Sequence, residues 1–132
     1  MPLIATDTDR YSQVVKFEFE PALAFCREAV TANEAGAATY AVGTVLGLVT
    51  ATGKYKIAVQ NAADGSQNPA AVVVEDASLT AATDKKVLVL LRGPAIVSKA
   101  ALKFHSSFDT APELAAAYAA LAAKNILVND TI

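Results

Sequence analysis

Between residues 43 and 74, apolar positions come in three short bursts separated by turn formers. Val45, Leu46, Leu48 and Val49 make the first burst, Tyr55, Ile57 and Val59 the second, and Ala70 through Val74 the third. Short runs rich in β-branched and aromatic residues predict strands. Thr52-Gly53 predicts a tight turn between the first two, with Gly53 taking the position of positive φ. Asn61 to Ser66 carries Asp64-Gly65 and predicts a longer loop, and the third burst, apolar at every position, predicts a buried strand.

The same reading extends outward from this block. Residues 1–13 are polar, with Asp7, Asp9 and Ser12, and read as a flexible lead. Val15, Phe17 and Phe19 then alternate with Lys16, Glu18 and Glu20, which predicts a strand with its aromatics on one face and its charges on the other, stopped at Pro21. Such a strand either pairs with a sheet edge in a partner chain or forms an edge of its own barrel. From Ala22 to Thr31 the pattern is ambiguous, since Phe25 and Ala29 fit a helix while Cys26, Glu28 and Val30 fit a strand. Asn33 to Gly36 predicts a turn, and Tyr40 to Val49 leads into the central block.

Beyond Val74, Glu75 to Lys86 reads as a loop with a charged tip, and Val87 to Leu91 as a strand covered on both faces. Arg92-Gly93-Pro94 breaks that strand, because proline lacks the donor that a central ladder needs. Ala95 to Val97 and Ala101 to His105 predict two further short strands. A single helix is predicted from about Glu113 to Lys124. Thr110-Ala-Pro-Glu113 has the form of a capping box, Leu114, Tyr118 and Leu121 recur at helical spacing, and Asn125 supplies the stop. Ile126 to Val128 predicts a last strand. The fold class is therefore mainly β with one C-terminal helix.

Composition narrows the function. A chain of 132 residues buries roughly two thirds of its unfolded surface, enough for one domain without disulfide or metal staples. Net charge is −2, and no run of one sign exceeds two residues, so nothing is built to follow a phosphate backbone. Cys26 is the only cysteine, which fits a chain made in a reducing cytosol. Residues 1–9 lack the basic and apolar regions of a secretion signal, and no stretch approaches the ~20 apolar residues of a membrane span. A soluble protein with neither nucleic-acid nor membrane partners is expected.

Candidate chemistry is sparse. His105, the only histidine, has Ser106 and Ser107 beside it in sequence and reads as a structural or surface residue rather than the base of a triad. Cys26 reads as a small core residue. Asp7 and Asp9 lack the remaining ligands and the turn glycine of a calcium loop. Gly47 to Lys54 is spaced too widely for a phosphate loop, and Tyr55 stands where Ser or Thr is needed, so a hairpin turn accounts for both Gly47 and Gly53. No catalytic residue, cofactor or metal is expected.

The ordered set Gly43-Thr-Val-Leu-Gly47, Thr50-Ala-Thr-Gly-Lys-Tyr55, Ala63-Asp-Gly65, a Val-rich strand and Val89-Leu-Leu-Arg-Gly93 resembles tailed-bacteriophage head decoration proteins, the capsid cement proteins of the lambda head-decoration type. The likeness runs from about Val14 to Val128. One departure is Ala70-Ala71, where the family often has a glycine before the apolar run. The resemblance implies a small β-clip-like barrel of short strands with a C-terminal helix, and a strand through Arg27 to Thr31. It also implies a homotrimer that binds the major capsid protein on the outer surface of the expanded head, stabilises the shell against packed DNA, and is made in the host cytoplasm. The polar lead, the alternation up to Pro21 and the two phenylalanines on one face predict an N-terminal capsid-binding arm over residues 1–21, gripping through Val15, Lys16, Phe17, Glu18 and Phe19, and a decoration domain over 22–132 that stays folded without residues 1–20. The resemblance, which implies an N-terminal segment that becomes ordered on the capsid, points the same way.

A different class of reading starts from Thr83-Asp84-Lys85-Lys86, which is similar to the lysine-bearing hairpin tip of lipoyl carrier domains, with Lys85 as the attachment point. Against it, Glu75 to Ala82 makes a poor leading strand, and a C-terminal helix has no place in so small a barrel.

Overall fold

The computed structural model describes residues 14–20, 22 and 25–129. The expectations for the polar lead over residues 1–13, for Asp7 and Asp9, and for the stop at Pro21 lie outside those residues. Among the described residues ten strands and one α-helix follow in order: β1 (Val15–Glu18), β2 (Arg27–Ala32), β3 (Ala38–Tyr40), β4 (Val45–Val49), β5 (Lys54–Ile57), β6 (Pro69–Val73), β7 (Ala77–Leu79), β8 (Lys85–Leu90), β9 (Ala95–Ser98), the helix Ala111–Ala122, and β10 (Ile126–Asn129).

Five strands close into a barrel in the order β2-β5-β4-β6-β8. The central block supplies three of them, the three strands that the sequence predicts there, and β4 lies antiparallel to both β5 and β6. The turn between β4 and β5 is closed by the Gly53 amide donating to Val49 O at 2.9 Å, with Gly53 at φ +73°. β2 runs antiparallel to β8 from Arg27 opposite Leu90 to Ala32 opposite Lys85, so Arg27 to Thr31 is a strand, as the resemblance implies, while Phe25 and Cys26 lie in a turn before it. Closure between β2 and β5 is a short parallel contact at Ala32 and Tyr55.

The period of two along β6 explains why it is apolar throughout. Ala71 and Val73 face a cluster with Val30, Leu46 and Val87, while Val72 faces a second cluster with Val45, Leu90, Val97 and Leu121. Tyr40 is buried with the first cluster, where its hydroxyl donates to the Glu34 carboxylate, and desolvation together with that bond raises its pKa.

The helix seals the second cluster. Glu113 reaches back to the amides of Thr110 (3.2 Å) and Asp109 (3.1 Å), satisfying two of the free donors at the helix start. Ala117 and Leu121 are buried, and Leu114 and Tyr118 pack against the same cluster. Asn125, at φ +63°, ends the helix and turns the chain into β10.

Four local expectations are corrected. Glu75 to Lys86 contains β7, which pairs with β3 in a separate two-stranded sheet. Ala101 to His105 is not a strand: a 3₁₀ turn spans Lys99–Ala101, and the β-pairing of this stretch is an isolated bridge between Lys103 and Thr44. Gly47 lies within β4 and not in the turn. A Cβ there would sit 2.1 Å from Ser66 O, because the Asp64-Gly65-Ser66 loop packs directly onto the strand. That loop is held by Asp64, whose Oδ1 accepts from the Ser66 hydroxyl (2.6 Å) and amide (3.0 Å), and these bonds lower its pKa.

The fourth correction concerns β1. Val15 faces Val97 and Phe17 faces Ile96, so a bulge at Lys16 breaks the alternation. Val15 and Glu18 consequently point inward, while Phe17 and Phe19 point out.

Candidate functional site

β1, β9 and β10 form a three-stranded sheet beside the barrel, with β9 in the middle, antiparallel to β1 and parallel to β10. Its inner face joins the core through Val15, Ala95, Val97 and Ile126. Phe17, Ile96 and Leu127 face outward. Phe17 pairs with Ile96, and Ile96 pairs with Leu127, so one apolar row crosses all three strands.

The row lines a groove of about 320 Å³ whose walls are Phe17, Pro94, Ala95, Ile96, Asn125 and Leu127. Among the described residues no charged side chain borders it. Among the described residues the exposed large hydrophobics are Phe17 (50%), Phe19 (43%), Phe25 (47%) and Leu127 (54%). Two of them line the groove, and the other two meet edge to face with ring centroids 5.5 Å apart. Clustered exposure of this kind marks an interaction surface, whereas single exposed apolar residues are ordinary. β1 is also an end strand of its sheet, with β9 as its only strand partner among the described residues. An open strand edge is a template for an added strand.

The five residues Val15 to Phe19 therefore divide. Phe17 and Phe19 stand on the outer face, and Lys16 is exposed at the bulge. Val15 and Glu18 lie beneath, where Glu18 Oε2 pairs with Arg27 Nε at 2.7 Å and Oε1 is buried without a hydrogen-bond partner. A carboxylate this buried is tolerated only because of its ion pair, and it ties β1 to the start of β2. Phe25, Ile96 and Leu127 are surface residues that sequence reasoning missed. Their facing follows from the parallel pairing of β10 with β9 and from the path into β2, neither of which a local pattern encodes.

The chemistry-bearing residues take other roles. His105 Nδ1 accepts from the Ser107 amide (3.1 Å) and lies 2.9 Å from Ser107 Oγ, while Ser107 Oγ accepts from the Gln60 amide (2.9 Å). The pair closes the turn 105–108, in which the Phe108 amide donates to His105 O. Cys26 is buried, with its thiol 3.6 Å from both Phe19 O and Pro94 O. No group of three metal-ligating side chains occurs among the described residues. Lys85 opens β8 opposite Ala32. Since β7 pairs with β3 while β8 pairs with β2 and β6, no hairpin of paired strands presents Lys85 at its tip, as a carrier domain requires.

His105→Ala is expected to lower stability by about 1 kcal/mol, the loss of a turn hydrogen bond. A urea melt of the variant checks this, and a variant that melts like the parent would mean that the turn does not depend on that bond.

No curated protein matches this sequence. The model of one family, described as Bacteriophage lambda head decoration protein D, matches residues 6–126, a span that takes in the barrel, the helix and the start of β10. The ordered glycine and strand pattern along the central block, the closed barrel it builds and this match over most of the chain agree, and the protein belongs to the bacteriophage lambda head decoration protein D family.

Proposed function

We propose that the protein acts as a cement on the outer surface of the expanded phage head, binding the major capsid protein as a homotrimer and stabilising the shell against packed DNA. The observation that carries this reading is the apolar face of the three-stranded sheet, bordered by β1 as an end strand among the described residues. Residues 1–21 serve as the capsid-binding arm, with β1 as the part seated on the protein's own sheet, and residues 22–132 as the decoration domain. The protein works by occupancy and not by catalysis, without cofactor, nucleic-acid or membrane partner. It is made in the host cytoplasm and resides on the virion.

Avidity gives this arrangement its strength. One groove of this size supports a modest contact, but three protomers on one body engage neighbouring capsid subunits together, and the second and third contacts form at high effective concentration. The same bridging ties adjacent subunits to one another.

Light scattering of the purified protein, alone and mixed with expanded empty shells, tests the proposal. The expected mass is three times the 13.6 kDa protomer, and the expected mixture is a shell of saturable added mass. Shells that stay bare at micromolar protein would overturn it.

A further inference from the structure

We propose that Phe19 and Phe25 form one preformed aromatic clamp for an apolar segment of a capsid subunit, and that Arg92 is the positioning residue that holds it. The inference rests on the capsid-binding reading of the sheet face and extends that surface across the chain to a residue outside β1.

Both phenylalanines are fixed through their backbones by the segment 92–94. The Phe19 amide donates to Pro94 O at 2.9 Å. Arg92 Nη1 donates to Phe25 O at 2.7 Å, and its Nη2 is paired with the Glu28 carboxylate. Between them, Cys26 O accepts the Leu91 amide at 2.8 Å, and the Cys26 thiol faces the carbonyls of Phe19 and Pro94. The brace is itself pinned. The Gly93 amide donates to Lys124 O at 2.9 Å, and a Cβ on Gly93 would lie 1.8 Å from Asn125 O, so the segment is pressed against the end of the helix.

Holding two phenyl rings in solvent opposes their tendency to bury, and the edge-to-face contact covers only part of each. Fixing their backbones removes the ordering cost that a partner would otherwise have to meet on binding. The clamp is continuous with the groove, since Pro94 lines the groove beside Phe17 and also anchors Phe19. Because the groove lining is uncharged, the matching partner segment is apolar. Arginine is needed at the brace because its planar fork serves a carbonyl and a carboxylate at once, which a lysine cannot reproduce.

Binding to expanded empty shells, with melting of the free protein recorded in parallel, tests this on Phe25→Ser, Arg92→Lys, the double variant, and Phe17→Asp as reference. Phe25→Ser and Arg92→Lys are each expected to weaken binding roughly tenfold with melting unchanged. The double variant should bind no more weakly than Phe25→Ser alone, because Arg92 acts through Phe25. Parental binding by Phe25→Ser overturns the proposal, as do additive losses in the double variant or an Arg92→Lys loss that tracks a lowered melting temperature. If Phe17→Asp also binds like the parent, the capsid-binding reading of the face fails as well; if Phe17→Asp alone loses binding, only the clamp fails.

Discussion

Phe17→Asp is expected to weaken binding to expanded shells by about thirtyfold or more, the loss typical of an aromatic anchor. Its ring stands at the β1 end of the apolar row, paired with Ile96 and lining the groove, so a carboxylate there would be carried out of water against an uncharged surface. In the proposed trimer all three protomers would bear the change at once, which would multiply the loss through avidity. The fold should tolerate it, because Phe17 is half exposed in the free protein and the core beneath is made by Val15. Unchanged melting together with lost binding is the expected pair of results, and retained full occupancy would place the gripping surface elsewhere. Deletion of residues 1–20 is a poorer test than the sequence suggests. It would remove Val14 and Val15 from the core and leave Arg27 without Glu18, so the truncated protein should melt lower for reasons unrelated to shells.

Leu121→Ala should cost about 2–5 kcal/mol, the range for truncating a fully buried leucine. Leu121 joins the helix to the cluster that also holds Val72, Leu90, Val97 and Ile126, and it therefore links the helix, the barrel and the three-stranded sheet. The loss should appear as a lower urea midpoint with an unchanged slope. A variant that melts like the parent would mean that the helix does not pack on the barrel in the free protein.

The elements legible in the sequence are those whose signals are local. The turn at Gly53, the buried strand β6, the strand β8 and the helix with its Glu113 cap all follow from residues within a few positions of one another. What was not legible depends on distant partners. The bulge at Lys16 is set by the register with β9, β7 is a strand only because β3 lies alongside, and Gly47 is a glycine because Ser66 is folded onto it. The candidate site divides in the same way. Phe17 and Phe19 stand out from alternation, but the bulge places Val15 and Glu18 underneath. Ile96, Leu127 and Phe25 join the surface through pairings and anchors made far along the chain.

Electron cryomicroscopy of expanded shells saturated with the protein tests the central claim most directly. The expected map shows trimers over the threefold and quasi-threefold positions of the shell, with the strand Val15–Glu18 and the groove between Phe17 and Leu127 turned toward the capsid subunits. Density for single protomers, or trimers whose Phe17 face points away from the shell, would contradict it.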